Sequence, residues 1–337
     1  MKKLFFVFLI SLLMVSWMGC TGPSNGTVVL QTPSGNGNPT MSPLGSTNPT
    51  NMPVASPTIS SSQKTVLYQL GDKNAQMMSY LIYTKEGKLI ILDGGYTHNC
   101  QDIIKLAKEL TGKTVPVVDA WLFSHPHEDH VDAFSEFMKL ENAMQVKAIY
   151  YNFPSATYIQ KYDQGAYGTY TKFMAALDQF SGQIKIVQVG DTISVGSVEV
   201  EVLLTPDESV TENIINESSV VYRMRIEDQT VLFLGDLGTE SGKRLRKTYG
   251  TKLASDIVQM AHHGSNGIPY PMYSVISPKV CLWPTPDWLW RNDNGGGTNS
   301  GSWETITVYE YMRDKLGVQL HLVARDEIQK LEFPVNL

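Results

Sequence analysis

The sequence predicts a mixed α/β protein in which two β-sheets pack together and helices cover them. Strand-like runs rich in β-branched and aromatic residues occur in clusters, and helical patterns are interleaved with these clusters. Hydrophobic residues make up 42% of the chain, which is enough to build a buried core. Clustered strands with interleaved helices favour this layered arrangement, because each sheet must bury its apolar faces.

The elements follow in two similar halves. The first helical pattern is clear, because Ile103, Leu106 and Leu110 recur at helical spacing. The predicted strands of the first half are residues 65–70, 79–84, 88–93 and 117–124, and its helices are residues 102–110 and 131–140. The predicted strands of the second half are residues 184–189, 198–204, 219–226, 230–234 and 256–260, and its helices are residues 239–248, 272–276 and 304–315.

The amino terminus has the pattern of an export signal. Lys2 and Lys3 precede an apolar run over residues 4–18 that is short for a membrane span and ends at Gly19-Cys20. The junction resembles the lipobox of bacterial lipoproteins, in which the cysteine is lipidated. We therefore predict a signal peptide at residues 1–19 and an extracytoplasmic lipoprotein anchored through Cys20, with ordinary secretion or a retained anchor as the alternatives.

Residues 20–63 and 64–337 differ sharply in composition. The first segment has no charged residue and is dominated by Gly, Pro, Ser, Thr and Asn, so it cannot bury enough apolar surface to fold and is predicted to be a disordered tether. The second segment is predicted to be one globular domain. Three cysteines are too few for a disulfide scaffold, and whether Cys100 and Cys281 pair stays open.

The net charge limits the classes of partner. The formal charge of −6 argues against a protein that holds nucleic acid or anionic lipid by bulk electrostatics. A nucleic-acid substrate remains open through local charge or a metal, and the sequence does not indicate an oligomeric state.

The candidate chemistry concentrates in the hexapeptide from His125 to His130. It contains His125, His127, Asp129 and His130, and it follows a predicted buried strand, so we expect it on a loop at the end of that strand. Side chains two residues apart in an extended turn point the same way. His125 and His127 are therefore expected to bind one ion, and Asp129 and His130 a neighbouring one. Imidazole and carboxylate suit zinc, manganese or iron.

Two further apolar runs end in potential ligands. One ends at Gly235-Asp236, and the other at His262-His263-Gly264. Taken alone, a strand-terminal aspartate is usually a turn residue, and a histidine pair is often structural. Together with the hexapeptide they predict one metal site where strand ends converge.

These motifs, with Asp93-Gly94-Gly95, make the chain resemble the metallo-β-lactamase-fold hydrolases. The segment 216–221, the strand ending at Asp236 and the HHGS sequence are similar to the hydrolase domain of competence DNA-uptake proteins and to secreted phosphorylcholine esterases. The resemblance implies a four-layer αββα sandwich with two divalent metal ions, zinc in the first instance. It implies that His125 and His127 bind the first metal, that Asp236 bridges both, and that the remaining residues bind the second. The implied second-metal residues are Asp129, His130 and His263.

The resemblance also implies secondary roles. His262 is a further candidate for the metal site, Asp93 is expected to support the ligand loop by hydrogen bonds, and Asp129 would also orient the attacking water as the catalytic residue. Many members carry a histidine in a Thr-x-Gly-His context that this chain lacks. Residues 204–208 stand there instead, with Asp207 as a candidate substitute.

The function implied is hydrolysis of a phosphodiester, with a hydroxide held between the two metals as nucleophile. The substrate would be a small molecule or polymer such as a phosphorylcholine ester, or a nucleic acid. Candidate substrate-binding residues are Asn216, Ser219, Trp283, Trp288 and Trp290; for the tryptophans, core packing is the competing interpretation. The alternatives are a non-catalytic metal-dependent binding protein of the same fold and a lactone or β-lactam hydrolase.

Overall fold

The computed structural model describes residues 63–72, 74–325 and 327–337, and the predicted signal peptide, Cys20 and the tether up to residue 62 lie outside them. The described residues contain sixteen strands. In chain order these are β1 (Val66–Gln69), β2 (Tyr80–Tyr83), β3 (Leu89–Leu92), β4 (Val117–Val118), β5 (Ala120–Leu122), β6 (Gln145–Val146), β7 (Ala148–Tyr151), β8 (Gln183–Ile186), β9 (Thr192–Val195), β10 (Val198–Leu204), β11 (Val221–Ile226), β12 (Gln229–Phe233), β13 (Ile257–Gln259), β14 (Val280–Trp283), β15 (Leu320–Val323) and β16 (Gln329–Glu332).

Helices connect and cover these strands. They are α1 (Cys100–Thr111), α2 (Glu128–Phe137), α3 (Ala156–Tyr162), α4 (Gln164–Leu177), α5 (Ile214–Glu217), α6 (Thr239–Tyr249), α7 (Tyr273–Ile276), α8 (Asp287–Trp290) and α9 (Thr305–Glu310), which continues as a π-helical turn, Tyr311–Lys315. None of the helices in the described ranges is both long enough and apolar enough to cross a membrane.

Most strands belong to two seven-stranded sheets. The first sheet has the order β16-β1-β2-β3-β5-β7-β8, and the second has the order β15-β14-β13-β12-β11-β10-β9. β4 and β6 form a separate parallel pair. In the first sheet β3, β5, β7 and β8 run parallel, and in the second β12 to β15 do so. Parallel strands direct their carboxyl ends to one edge of a sheet, where ligand sites of such sheets tend to form.

The hydrophobic residues form one core between the sheets and one on each outer face. β3 shows why, because alternate side chains of a strand point to opposite faces. Ile90 and Leu92 pack between the two sheets, whereas Leu89 and Ile91 pack outward against the helices of the first sheet. α1, α2 and α4 cover that face, and α6, α7 and α9 cover the second sheet. The predicted two-sheet α/β sandwich is confirmed.

Some predicted elements differ at their boundaries. The predicted strand 117–124 divides at Asp119 into β4, which pairs with β6, and β5, which pairs with β3 and β7. α2 begins at Glu128, three residues before the predicted start, so part of the histidine-rich hexapeptide is helical. Cys100 and Cys281 are free thiols buried in the two outer cores, and they do not pair.

Candidate metal centre

The hexapeptide after β5 changes from extended chain to helix halfway along. His127 is the N-cap of α2 with extended φ and ψ of −88° and 153°, and Asp129 lies in the first helical turn. His125 Nε2 and His127 Nδ1 lie 3.1 Å apart. Asp129 and His130 lie in the first turn of α2 and not in an extended turn. The His130 ring stays close to the His125 ring, with 4.1 Å between the ring centroids, so the two pairs of the hexapeptide are adjacent.

The turn after β12 brings Asp236 to the same place. Gly235 has a left-handed φ of 58°, and a Cβ atom there would lie 2.9 Å from Ser219 Oγ, so glycine is required. The buried side chain of Gln259 accepts hydrogen bonds from the Leu234 and Gly235 amides, both at 2.8 Å. Asp236 is 1% exposed, and its position is therefore fixed by the packing around the turn.

The loop after β13 carries the histidine pair in an unusual backbone conformation. His262 and His263 have φ values of 51° and 55°, which non-glycine residues adopt at a cost of about 1–3 kcal/mol each. Surrounding hydrogen bonds hold this conformation. Thr285 Oγ1 donates to the His263 carbonyl, and His263 Nδ1 lies 2.9 Å from the Pro284 carbonyl oxygen. The second contact leaves His263 Nε2 free to face Asp236, at 3.3 Å.

The side chains converge as two groups that share Asp236. We call Asp129, His130, Asp236 and His263 the inner group, because all four are buried. We call His125, His127 and Asp236 the outer group, because His127 is partly exposed. In each group the potential ligand atoms lie within 4.8 Å of one another. Asp236 Oδ2 is 3.3 Å from His130 Nε2 and 3.8 Å from His125 Nε2.

The residues present fit divalent cations. His130 Nε2, His263 Nε2 and Asp236 Oδ1 are buried and make no hydrogen bond of acceptable geometry, although His263 Nε2 lies 3.0 Å from Asp129 Oδ2. Nearly all buried polar atoms in proteins have such a bond. Each of these atoms is a metal-ligating type, and a carboxylate shared between two imidazole groups is suited to bridging two ions. The cluster therefore suggests a binuclear metal site, and its nitrogen and oxygen donors suit zinc, manganese and iron alike.

The electrostatics of the inner group also favour added positive charge. Burial alone would lower the pKa of His263, but Asp236 and Asp129 outweigh it and raise that pKa to about 10. Burial opposes the charged form of His130 too, and three neighbouring carboxylates raise its pKa well above the ordinary value. In the metal-free protein these imidazoles hold protons because carboxylates surround them. Cations bound there would compete with those protons.

Asp93 lies behind the cluster, hydrogen-bonded to the ligand loop. Its carboxylate accepts from the Ser124 amide at 2.7 Å and from Ser124 Oγ at 2.6 Å, and it lies 2.7 Å from His130 Nδ1. A proton on His130 Nδ1 leaves Nε2 available toward Asp236. Ser124 Oγ is also 3.0 Å from His125 Nδ1, so one carboxylate and one hydroxyl orient an imidazole of each group.

Ser219 is not available to a substrate. It is fully buried, its Oγ lies 3.3 Å from His125 Nδ1, and it accepts a hydrogen bond from the Asp236 amide. The candidate substrate-binding role of Ser219 is therefore wrong, and the residue supports the shape of the cluster instead.

Asn216 and His262 lie beside the cluster but outside both groups, and Asp207 belongs to neither group. Asn216 Nδ2 is 3.5 Å from His262 Nε2, which is 4.0 Å from Asp236 Oδ2. Asp207 does not replace the missing histidine, because its carboxylate pairs with Arg244 at 3.1 Å and accepts from the Ser209 amide. Among the described residues, the outer group therefore contains two imidazoles and the shared carboxylate.

The tryptophans after the HHGS loop mainly serve packing. Trp283 is fully buried in the core of the second sheet, and its indole N–H donates to His321 Nδ1 at 3.0 Å. Trp290 packs edge-on against Trp283, with ring centroids 5.2 Å apart. The substrate-binding role is wrong for Trp283, because a substrate cannot reach it, and Trp290 contributes to the same core. Trp288 pairs with Trp303 and stays partly exposed.

Sequence reasoning missed two residues that shape the site, Ser124 and Gln259. Ser124 stands directly before the hexapeptide, and its hydroxyl connects His125 to Asp93. Gln259 is an isolated polar residue in a buried strand, a pattern that indicates a specific hydrogen-bonding role.

The fold and this centre define a class of protein in which a binuclear metal site lies at one edge of a two-sheet sandwich. The model of the Metallo-beta-lactamase superfamily matches residues 76–268, which is more than half of the chain, and the protein belongs to that superfamily. Members of the superfamily are mostly metal-dependent hydrolases. A search of curated proteins found no match.

Two solved structures are similar to this chain at low sequence identity. CmlA, a diiron β-hydroxylase from Streptomyces venezuelae, matches with a TM-score of 0.50 and 14% identity over 80% of this chain and 54% of its own. The metallo-beta-lactamase fold protein YhfI from Bacillus subtilis matches with a TM-score of 0.49 and 11% identity over 79% of this chain and 100% of its own. These similarities concern the fold alone.

Proposed function

We propose that this protein is a metal-dependent phosphodiesterase that works outside the cytoplasm, held at the membrane by a lipid on Cys20. The observation that carries the proposal is the single carboxylate, Asp236, shared by two ligand groups at the edge of the sandwich. Sites with two divalent ions about 3.5–4 Å apart are typical of phosphatases and nucleases, because such ions stabilise both the attacking and the leaving oxygen.

The protein's own side chains would divide the work. Divalent cations in the two groups would supply Lewis acidity and activate water at neutral pH. Asp129, the catalytic candidate, lies 3.0 Å from His263 Nε2 and at the start of α2, so its carboxylate is held in a fixed position. It would orient the attacking water and accept its proton. His127 is the partly exposed ligand and marks the side from which a substrate enters.

The substrate class is supported by the chemistry of the cluster and by the charge of the chain. A net charge of −6 gives no bulk attraction for nucleic acid, which favours a small or polymer-linked phosphodiester such as a phosphorylcholine ester. Trp283 is buried and Trp290 packs against it, so neither supports recognition of a choline-like group. The proposal therefore covers the phosphodiester and not its alcohol.

The location is supported by the amino-terminal sequence. The apolar run before Gly19-Cys20 and the uncharged segment that follows are typical of an exported, lipidated and tethered protein. Globomycin, which blocks cleavage of lipoprotein signal peptides, would cause the precursor to accumulate. Cys20→Ser would release the protein from the membrane fraction or leave the signal uncleaved.

A substrate panel tests the activity. The purified protein with added zinc or manganese is given bis-p-nitrophenyl phosphate, p-nitrophenyl-phosphorylcholine, single-stranded DNA and nitrocefin. We expect turnover of at least one of the two chromogenic phosphodiesters and no opening of nitrocefin. Turnover of nitrocefin alone would identify a β-lactam hydrolase, and turnover of none would support a non-catalytic binding protein. Asp129→Asn, which keeps the size of the side chain, should abolish most of the turnover.

A further inference from the structure

His262 and Asn216 lie beside the metal centre without belonging to either ligand group. His262 Nε2 is 4.0 Å from Asp236 Oδ2, yet the group that could bind an ion around Asp236 uses His263 and not its neighbour. The side chain of His262 is 27% exposed, whereas that of His263 is fully buried. The first imidazole of the HHGS loop is therefore next to the shared carboxylate and open to a bound substrate.

Asn216 completes a pair of nitrogen atoms at this position. It precedes β11, is 5% exposed, and places Nδ2 at 3.5 Å from His262 Nε2. Nδ2 also donates to Asn213 Oδ1 at 3.1 Å, which fixes the amide plane. Two nitrogens this far apart can both donate to one oxygen that lies to one side of the line joining them, at about 2.9 Å from each.

Both side chains also keep hydrogen-bonding capacity that the protein leaves unused. Asn216 Oδ1 and His262 Nδ1 are buried, and neither has a hydrogen-bond partner among the described residues. Buried polar atoms without partners are uncommon and call for an explanation such as a functional role. His262 is also held in left-handed backbone by a hydrogen bond from its amide to the Gly235 carbonyl, which joins this residue to the turn that carries Asp236.

We infer that His262 and Asn216 form a binding position for a non-bridging oxygen of a phosphate group, next to the two metal groups. The choice of phosphate rests on the proposed function. Donors placed at such an oxygen would hold the substrate in line with the ligand groups, and they would stabilise the charge that develops on it during the displacement. Neither residue would be needed to hold the cations.

Phosphate binding and metal content test the pair separately. Inorganic phosphate is titrated into the metal-loaded protein by calorimetry, and bound metal is counted by elemental analysis. The variants are Asn216→Ala, His262→Ala, the double variant and His262→Gln, whose amide nitrogen can replace Nε2. His98→Ala and Gln179→Ala serve as controls, because both residues are exposed and belong to neither ligand group. Thermal melts of every variant check that it is folded.

We expect each alanine variant to keep the metal content of the wild-type protein and to bind phosphate about 10- to 100-fold more weakly, as is typical for loss of a hydrogen bond to a charged group. His262→Gln should recover part of the affinity, and the two single changes should not be additive because the residues contact one oxygen. The same variants should lower kcat for a phosphodiester more than they raise KM.

Three results would overturn the inference. These are loss of a metal equivalent from His262→Ala, unchanged phosphate affinity in both single variants, and no phosphate binding by the wild-type protein. The proposed function can fail while this inference holds. If phosphate binding depends on His262 and Asn216 but no phosphodiester is hydrolysed, the binding position is supported and the phosphodiesterase activity is contradicted. If phosphodiesters are hydrolysed and the variants bind phosphate as the wild type does, the activity is supported and the binding position is contradicted.

Discussion

The inner and outer groups share Asp236 but differ in ligand number and in burial. The inner group has four ligating residues, all buried, and Asp93 orients one of its imidazoles. The outer group has three, and His127 is partly exposed. A metal with more protein ligands and better-oriented imidazoles is held more tightly. We therefore expect the inner group to retain its cation and the outer group to exchange it with solvent and substrate.

The largest effect is expected from the residue that both groups share. Asp236→Asn removes the carboxylate charge from each group, so both metal affinities and phosphodiester turnover should fall by more than about 100-fold. Elemental analysis and steady-state kinetics measure the two losses. Asp256→Asn, at the residue that precedes β13 and accepts a hydrogen bond from the Thr230 amide, is the control and should keep its metal. A variant at Asp236 that lost only one cation would show that the carboxylate does not bridge.

A smaller and more selective effect should separate the groups. After dialysis against a weak chelator, the wild-type protein and His127→Ala should each retain about one metal equivalent, whereas His263→Ala should retain less. The reason is that His127 belongs to the outer group and His263 to the inner group. Equal retention in the two variants would contradict the difference between the groups.

Asp93→Asn tests the support behind the inner group. The asparagine amide would face His130 Nδ1 without the carboxylate charge, and the metal affinity of the inner group should fall by about 10–100-fold. Competition with a chromogenic chelator measures this affinity. Asp72→Asn, whose carboxylate contacts the exposed His98, should behave as wild type. A loss confined to the outer group would mean that Asp93 acts mainly through Ser124.

The smallest effect concerns pH and the metal-free protein. His263 has a pKa of about 10 in the folded protein against an ordinary value of 6.5, so the folded state binds a proton that the unfolded state releases. This stabilisation is complete below pH 6.5 and is lost as the pH rises through about 10. The contribution of His263 to the free energy of unfolding should fall by about 1.4 kcal/mol per pH unit between about pH 8 and 9.

Urea unfolding at several pH values, with chelator and with metal, measures that slope. The slope of the free energy of unfolding against pH is measured for the native sequence and for His263→Gln. The difference between the two slopes is the contribution of His263. Metal-loaded protein should lack it, because the cation takes the place of the proton. If the native sequence and His263→Gln had the same slope without metal, the carboxylates would not hold a proton on His263.

The sequence was sufficient for the fold class and for the convergence of most of the site. Four potential ligands within six residues, and Asp236 and His263 after apolar runs, could be assigned to one site because each set stands at the end of a predicted strand. The start of α2 at Glu128 could not be predicted, since it depends on contacts of Val131 and Phe134 with the first sheet.

Roles that depend on three-dimensional neighbours were not accessible from the sequence. Trp283 and Trp288 stand five residues apart in similar composition, yet Trp283, at the end of β14, is buried and Trp288 lies partly exposed. Ser219 looked available beside Asn216, but it points toward His125 and Asp236. Asp207 is excluded as a substitute metal ligand by its ion pair with Arg244. These two residues are far apart in the chain, so the sequence does not show the pair.

An anomalous difference map from crystals of the zinc- or manganese-loaded protein tests the central claim most directly. Two peaks on either side of Asp236 are predicted, one contacting Asp129, His130 and His263 and the other contacting His125 and His127. The outer peak should be the weaker of the two. No peak at these residues, or one peak that Asp236 does not contact, would contradict a binuclear centre in this protein.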